Sequence, residues 1–207
     1  MKKTTPLMNR RTASAAIIGL GGGLFVSRPL LAKRPRVRGD QPAVPNGTFY
    51  DAEGRFLESV AKSTYLDFME QVGYPVSDTI RQNLWVADFS RGRFAEIGLG
   101  GSFWVNNKDW NYASIEIFLL PWQMVPEHWH IAIEADRVAP KMESWIVRFG
   151  TAFACGEGEP TANPQSRLSP GETTHVTARN ETVLQVGAVT GIVRPLEKHW
   201  LQAGPKG

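Results

Sequence analysis

Pro126-Glu127-His128-Trp129-His130 decides how this chain is read. Residues two apart on a β-strand point to the same face. An H-x-H pair on a strand therefore aims both imidazoles at one point. Downstream stand Glu143, in Lys141-Met142-Glu143, and His175, in Pro170-Gly171-Glu172-Thr173-Thr174-His175. The chain has four histidines, and three fall into this pattern. Imidazoles with one carboxylate form a mixed nitrogen and oxygen site suited to a divalent transition metal. The expected ligands are His128, His130, Glu143 and His175. Mn²⁺ suits such a set best, with Zn²⁺, Fe²⁺, Co²⁺ and Ni²⁺ also compatible. Four protein ligands on an octahedral ion leave two positions open, the mark of a catalytic site.

Around this stretch the chain reads as short strands broken by turns. They are expected at 84–86, 94–97, 103–105, 114–120, 145–149, 152–155, 173–177 and 183–193. Fourteen prolines and twenty glycines fit that punctuation, and such spacing predicts an all-β sandwich or barrel. In 114–120, Ile115, Ile117 and Leu119 share one face and Glu116 takes the other. One helix is predicted over 54–73, where Leu57, Val60, Ala61, Tyr65, Phe68, Met69 and Val72 recur at helical spacing. Glu58 and Lys62 make an i,i+4 pair, and Gly73 with Pro75 stops the helix. It is expected to pack outside the sheet.

The N-terminus reads differently. Residues 1–11 are basic, and Ala15 to Val26 is an uncharged run too short to span a bilayer but suited to a signal-peptide core. The paired arginines in Asn9-Arg10-Arg11-Thr12-Ala13-Ser14 resemble a twin-arginine export leader. Residues 1–32 are thus expected to be a leader ending after Ala32, and 33–50 a linker or arm. The mature protein would be periplasmic or secreted, with no membrane association after cleavage. The leader holds Lys2, Lys3, Arg10, Arg11 and Arg28 and no acid, which turns the chain's formal +3 into −2 for the remainder. That removes the electrostatic support for nucleic-acid binding. The single cysteine, Cys155, excludes an intrachain disulfide and reads as a buried apolar residue.

Taken in order, His128, His130, Glu143 and Gly150, then Pro170, His175 and Asn180, resemble the two motifs of the cupin superfamily. That resemblance implies a jelly-roll β-barrel over residues 51–207, with the helix packed outside. Glu134, three residues after His130, is the alternative carboxylate ligand; the spacing from Glu143 to Gly150 favours Glu143. Within the cupins, Ile97-Gly98-Leu99, Asn106-Asn107, the run from Leu119 to His130 and Lys141-Met142-Glu143 resemble the D-lyxose isomerase branch. The resemblance implies a metal-dependent aldose–ketose isomerase acting on a small sugar. The metal would polarise the carbonyl and stabilise an enediolate. It also implies pairing into a homodimer through sheet edges.

Isomerisation needs a base that carries a proton between adjacent carbons. Lys141, two residues before Glu143, is either that group and a substrate contact or a solvated loop lysine. Glu157 is a second catalytic candidate at an acidic rim. Gln123 and Trp145 are expected to contact the sugar, while Trp129 alternates with the histidines and points away. His199, beside Trp200 and outside the motifs, reads as structural or surface. The same ligand set also suits an Fe²⁺-dependent dioxygenase or a non-catalytic sugar- or metal-binding cupin.

Overall fold

A computed structural model describes residues 44–110, 112–132 and 139–207 of the chain. The proposed leader, most of the 33–50 arm and Glu134 lie outside the described residues. After a short 3-10 turn at Asn46–Phe49 come two helices, α1 (Glu58–Gln71) and α2 (Asp78–Asn83). Nine strands follow: β1 (Trp85–Ala87), β2 (Leu99–Asn107), β3 (Tyr112–Phe118), β4 (Met124–His128), β5 (Ser144–Ile146), β6 (Thr151–Gly156), β7 (Asn180–Gln185), β8 (Val189–Gly191) and β9 (His199–Ala203). They form three antiparallel sheets, ordered β1-β2-β3, β4-β9-β6-β7 and β5-β8. The chain is mostly β with few helices, as the strand pattern predicts. The segment that leads into β2 joins the second sheet through the backbone, as the Gly98 N–H donates to the Met124 carbonyl and the Met124 N–H to that of Glu96. No helix among the described residues is long and apolar enough to cross a membrane.

The helix forms where its spacing predicts, ending as the backbone N–H of Gly73 donates to Glu70 and that of Tyr74 to Met69, a pairing that caps the last carbonyls. The Glu58–Lys62 pair is made at 2.6 Å. Ala61, Tyr65 and Met69 line the buried stripe. Tyr65 packs over Gly100 of β2 so closely that a Cβ there would stand 2.8 Å from its ring. Its hydroxyl donates to Gln123 Oε1 at 2.5 Å. Gln123 also donates to the Phe94 carbonyl and accepts from the Leu120 N–H. The helix is thereby tied to the residue that enters β4.

The structure differs from the strand pattern in several places. Residues 94–96 form a turn, and only Ile97 makes a bridge, to Met124. Residues 171–175 are also a turn, with Arg93 bonded to Glu172 and Ser169 beneath it. Glu116 takes the face opposite Ile115 and Ile117, as the alternation predicts, and is buried there, held by the Tyr74 hydroxyl, the Trp104 indole N–H and Arg148. The 183–193 run divides into β7 and β8 at Gly187. Strand β9 lies beyond the last strand the pattern predicts, and it sits at the centre of the four-stranded sheet.

Candidate metal centre

Register across the four-stranded sheet builds this site. His128 of β4 pairs with His199 of β9, His199 with Gly156 of β6, and Gly156 with Asn180 of β7. Residues directly opposite on an antiparallel ladder share a face. Strict alternation would not place His128 there. Val125 pairs with Leu201 and His128 with His199, so Pro126 and Glu127 oppose Trp200 alone. This bulge shifts the parity of β4 by one and turns His128 toward His199. Pro126 suits it, since proline cannot donate to a regular ladder. Glu127 holds the bulge from outside by accepting the backbone N–H groups of Thr177 and Ala178 and the Thr177 hydroxyl.

His128, His130, Glu143 and His199 each offer a ligand atom, and those atoms lie within 4.8 Å of one another. The ring centroids of His128 and His199 are 4.3 Å apart, and His130 lies 5.1 and 5.2 Å from them. His128 Nδ1 is 2.9 Å from the Pro126 carbonyl and His199 Nδ1 is 2.8 Å from that of Glu197. A carbonyl only accepts, so each Nδ1 carries the proton and each Nε2 presents a lone pair. His130 and His199 Nε2 lie 3.3 and 3.4 Å from Glu143 Oε2, yet both are buried without a hydrogen bond. Converging imidazole nitrogens without hydrogen bonds, beside a carboxylate, fit a divalent cation.

Charge agrees with that fit. Burial is the main cause holding His128 and His130 below their ordinary pKa, so both are neutral at pH 7, the form a metal requires. Burial pushes the Glu143 carboxyl up, but His199, Lys141 and His130 outweigh it and hold it well below the usual range. Lys141 Nζ is 2.5 Å from Oε1, opposite the oxygen that faces the histidines. The Glu143 carbonyl accepts from the Ile192 N–H, anchoring the residue beside β8.

No protein-family model matches the chain. It is 33% identical over 147 residues to a D-lyxose ketol-isomerase of Cohnella laeviribosi, covering 71% of this chain and 78% of that protein. The chain belongs to the D-lyxose ketol-isomerase family. A D-lyxose/D-mannose isomerase of Thermosediminibacter oceani is 31% identical, covering 73% and 80%. In structure, the L-ribose isomerase of Acinetobacter sp. DL28, solved in complex with L-ribose, aligns with a TM-score of 0.52 at 12% identity, over 77% of this chain and 78% of that one. That likeness is one of fold.

For a member of the D-lyxose ketol-isomerase family, the sequence-predicted residues are partly redistributed. His128, His130 and Glu143 converge, and Lys141 reaches Glu143. His175 does not join them: it is exposed in the 171–175 turn, and His199, buried on β9, occupies the fourth position. Gln123 is fully buried with its amide committed to Tyr65, Leu120 and Phe94, which leaves it no sugar to contact. Trp145 lies 5.4 Å from His199, ring to ring, and lines a cavity of about 230 Å³ beside it. Glu157 is at that cavity too, but its carboxylate is paired with Arg194, which holds it below the usual range. Glu197, which sequence reasoning missed, is buried in the same wall. Burial pushes the Cys155 thiol up to about 12, so it stays an inert thiol. Trp129 points outward, half-exposed under Lys198.

Proposed function

We propose that the protein is a metal-dependent aldose–ketose isomerase acting on a small sugar. The observation that carries this reading is the cluster of His128, His130, Glu143 and His199 around buried, unpaired imidazole nitrogens, next to a polar cavity. Membership of the D-lyxose ketol-isomerase family supports it. These four residues would hold a divalent cation, Mn²⁺ being the best match to the mixed donor set. When bound, it would act as a Lewis acid on the sugar carbonyl and stabilise charge as the α-proton leaves.

The chain's own residues do the rest. Lys141 holds Glu143 in place through Oε1 and presents a half-exposed ammonium at the site, positioned to donate to a sugar oxygen. Proton transfer needs a carboxylate in the cavity that is not consumed by an ion pair. Glu157 is paired with Arg194, so we assign the transfer to Glu197. Its Oε2 accepts from the Val193 N–H, and its Oε1 faces the space over Gly156. Trp145 supplies an apolar ring for a sugar's C–H face.

Proton NMR of the metal-loaded protein with a panel of aldoses in deuterated water tests this. Deuterium should enter at the α-carbon of at least one pentose or hexose. No exchange with any sugar, at full metal occupancy, would sink the reading. We also propose export by the twin-arginine-type leader; N-terminal sequencing of the mature protein should begin near Lys33, and an intact Met1 on cytoplasmic protein would refute it.

A further inference from the structure

The row His128–His199–Gly156–Asn180 crosses all four strands of one sheet on one face. Three of its members carry polar side chains and the fourth carries none. A Cβ built at Gly156 would meet a single non-neighbouring atom within 4 Å, Glu197 Oε1 at 3.1 Å. The next row inward, Leu201–Ala154–Thr182, repeats the pattern with a small residue on β6. The gap in the sheet face is therefore continuous along β6. It lies between His199 on one side and Asn180 and Thr182 on the other, and the cavity that contains Trp145 opens over it. Further along the same face, Ala154, Leu184 and Leu201 belong to one apolar cluster.

Resting on the isomerase reading, we infer that Gly156 is the specificity-determining residue of a monosaccharide subsite. The sugar's hydroxyls are held by Asn180, Thr182 and Glu197, and its metal-facing end lies toward His199. At about 230 Å³ the cavity is smaller than the roughly 300–1,000 Å³ that drug-sized ligands occupy. It admits one sugar ring or one extended five- or six-carbon chain and excludes a disaccharide. Gly156 does not adopt a positive φ, and its only neighbour is the end of a flexible carboxylate. A larger side chain there is thus compatible with the strand and would fill the space the sugar needs.

The test uses the metal-loaded, full-length protein and a pentitol, an unreactive polyol that reports binding without turnover. Calorimetry should show pentitol binding to the wild type and none of a disaccharide alcohol. Gly156→Ala should weaken pentitol binding about tenfold, and Gly156→Val should abolish it, with Mn²⁺ stoichiometry unchanged in both. Asn180→Leu and Thr182→Val, which leave the strand backbone untouched, should each weaken it several-fold. Equal pentitol affinity in wild type and both Gly156 variants would overturn the subsite, as would disaccharide binding. Pentitol binding lost as expected, in a protein that exchanges no sugar proton, would instead leave the subsite standing and remove the isomerase reading.

Discussion

Strand β4 with its bulge and the turn at residues 171–175 lie side by side, joined by Glu127 to the residues just after the turn, and each carries histidine. In β4 an extra residue in the ladder turns His128 inward, and a backbone carbonyl fixes its tautomer. In the turn, Glu172 is buried against Arg93 and Ser169, and that ion pair leaves His175 at the surface. Gly171 belongs to the same arrangement, since a Cβ there would stand 2.5 Å from the Arg93 guanidinium. One region is built to turn a side chain toward the histidine and glutamate cluster. The other is built to seat an arginine. The difference shows that a histidine joins the cluster through what it faces across a sheet, and sequence distance from a glycine or proline does not decide it.

The sharpest way to break this contrast is to remove each histidine in turn. His199→Ala should weaken Mn²⁺ binding by roughly a thousandfold or more, since even partners that only orient metal ligands are worth about 10–100-fold. His175→Ala should leave affinity within about twofold. Isothermal titration against a chelator of known affinity measures both. If the order reverses, the turn supplies the fourth ligand and the sheet register does not.

The turn has its own test. Arg93→Ala leaves Glu172 buried without its cation, at a cost of about 2–4 kcal/mol, tempered because Arg93 is partly exposed. Urea unfolding of the metal-free protein measures this. The folded variant should still bind one equivalent of Mn²⁺. Loss of metal from folded Arg93→Ala would mean that the turn and the metal centre are one unit.

Much of the architecture is legible because it is local. The helix announces itself through seven apolar positions and ends where Gly73 predicts. His128, His130 and Glu143 share a strand-and-loop neighbourhood short enough for spacing to align them. The remainder depends on register between distant strands. His199 belongs to His128 only because β9 enters the sheet between β4 and β6, and His199-Trp200-Leu201-Gln202-Ala203 is buried on both faces, which hides the alternation of a half-buried strand. Gln123 carries no mark in sequence that separates a sugar contact from a core amide; Tyr65, 58 residues away, decides it. The bulge at Pro126-Glu127 is visible only as a proline inside a strand. The burial of Glu116 is hidden for the same reason, since its partners Tyr74 and Arg148 come from elsewhere in the chain.

The metal-free centre should also answer to pH. His128 and His130 have folded pKa values below the ordinary 6.5. Below that value the unfolded chain binds more protons than the native one, so stability falls as pH drops through 6.5 toward the lowered values. Glu143, also depressed, adds to the loss at lower pH, from its ordinary 4.5 downward. Chelator-treated protein should therefore show a falling melting temperature between pH 7 and 5. His128→Asn should flatten that slope, and His175→Asn should leave it unchanged. An identical slope in both variants would show that the cluster's burial does not govern the acid response.

Trp129 offers the smallest effect and the finest check on the bulge. It stands between His128 and His130 in sequence but is half-exposed, with Lys198 Nζ 5.6 Å from its ring centroid. A cation–π contact at an exposed site is worth about 0.5–1 kcal/mol, so Trp129→Ala should cost no more than about that in stability. Mn²⁺ affinity should stay within about twofold, because the parity set by Pro126-Glu127 and held by Glu127 against Thr177 and Ala178 does not depend on the outward ring. Retained affinity in Trp129→Ala, beside lowered affinity in Glu127→Ala, would place the control of His128 in the bulge and its clamp. Lowered affinity in Trp129→Ala would move that control to the outer face of the strand and blur the division between the two regions.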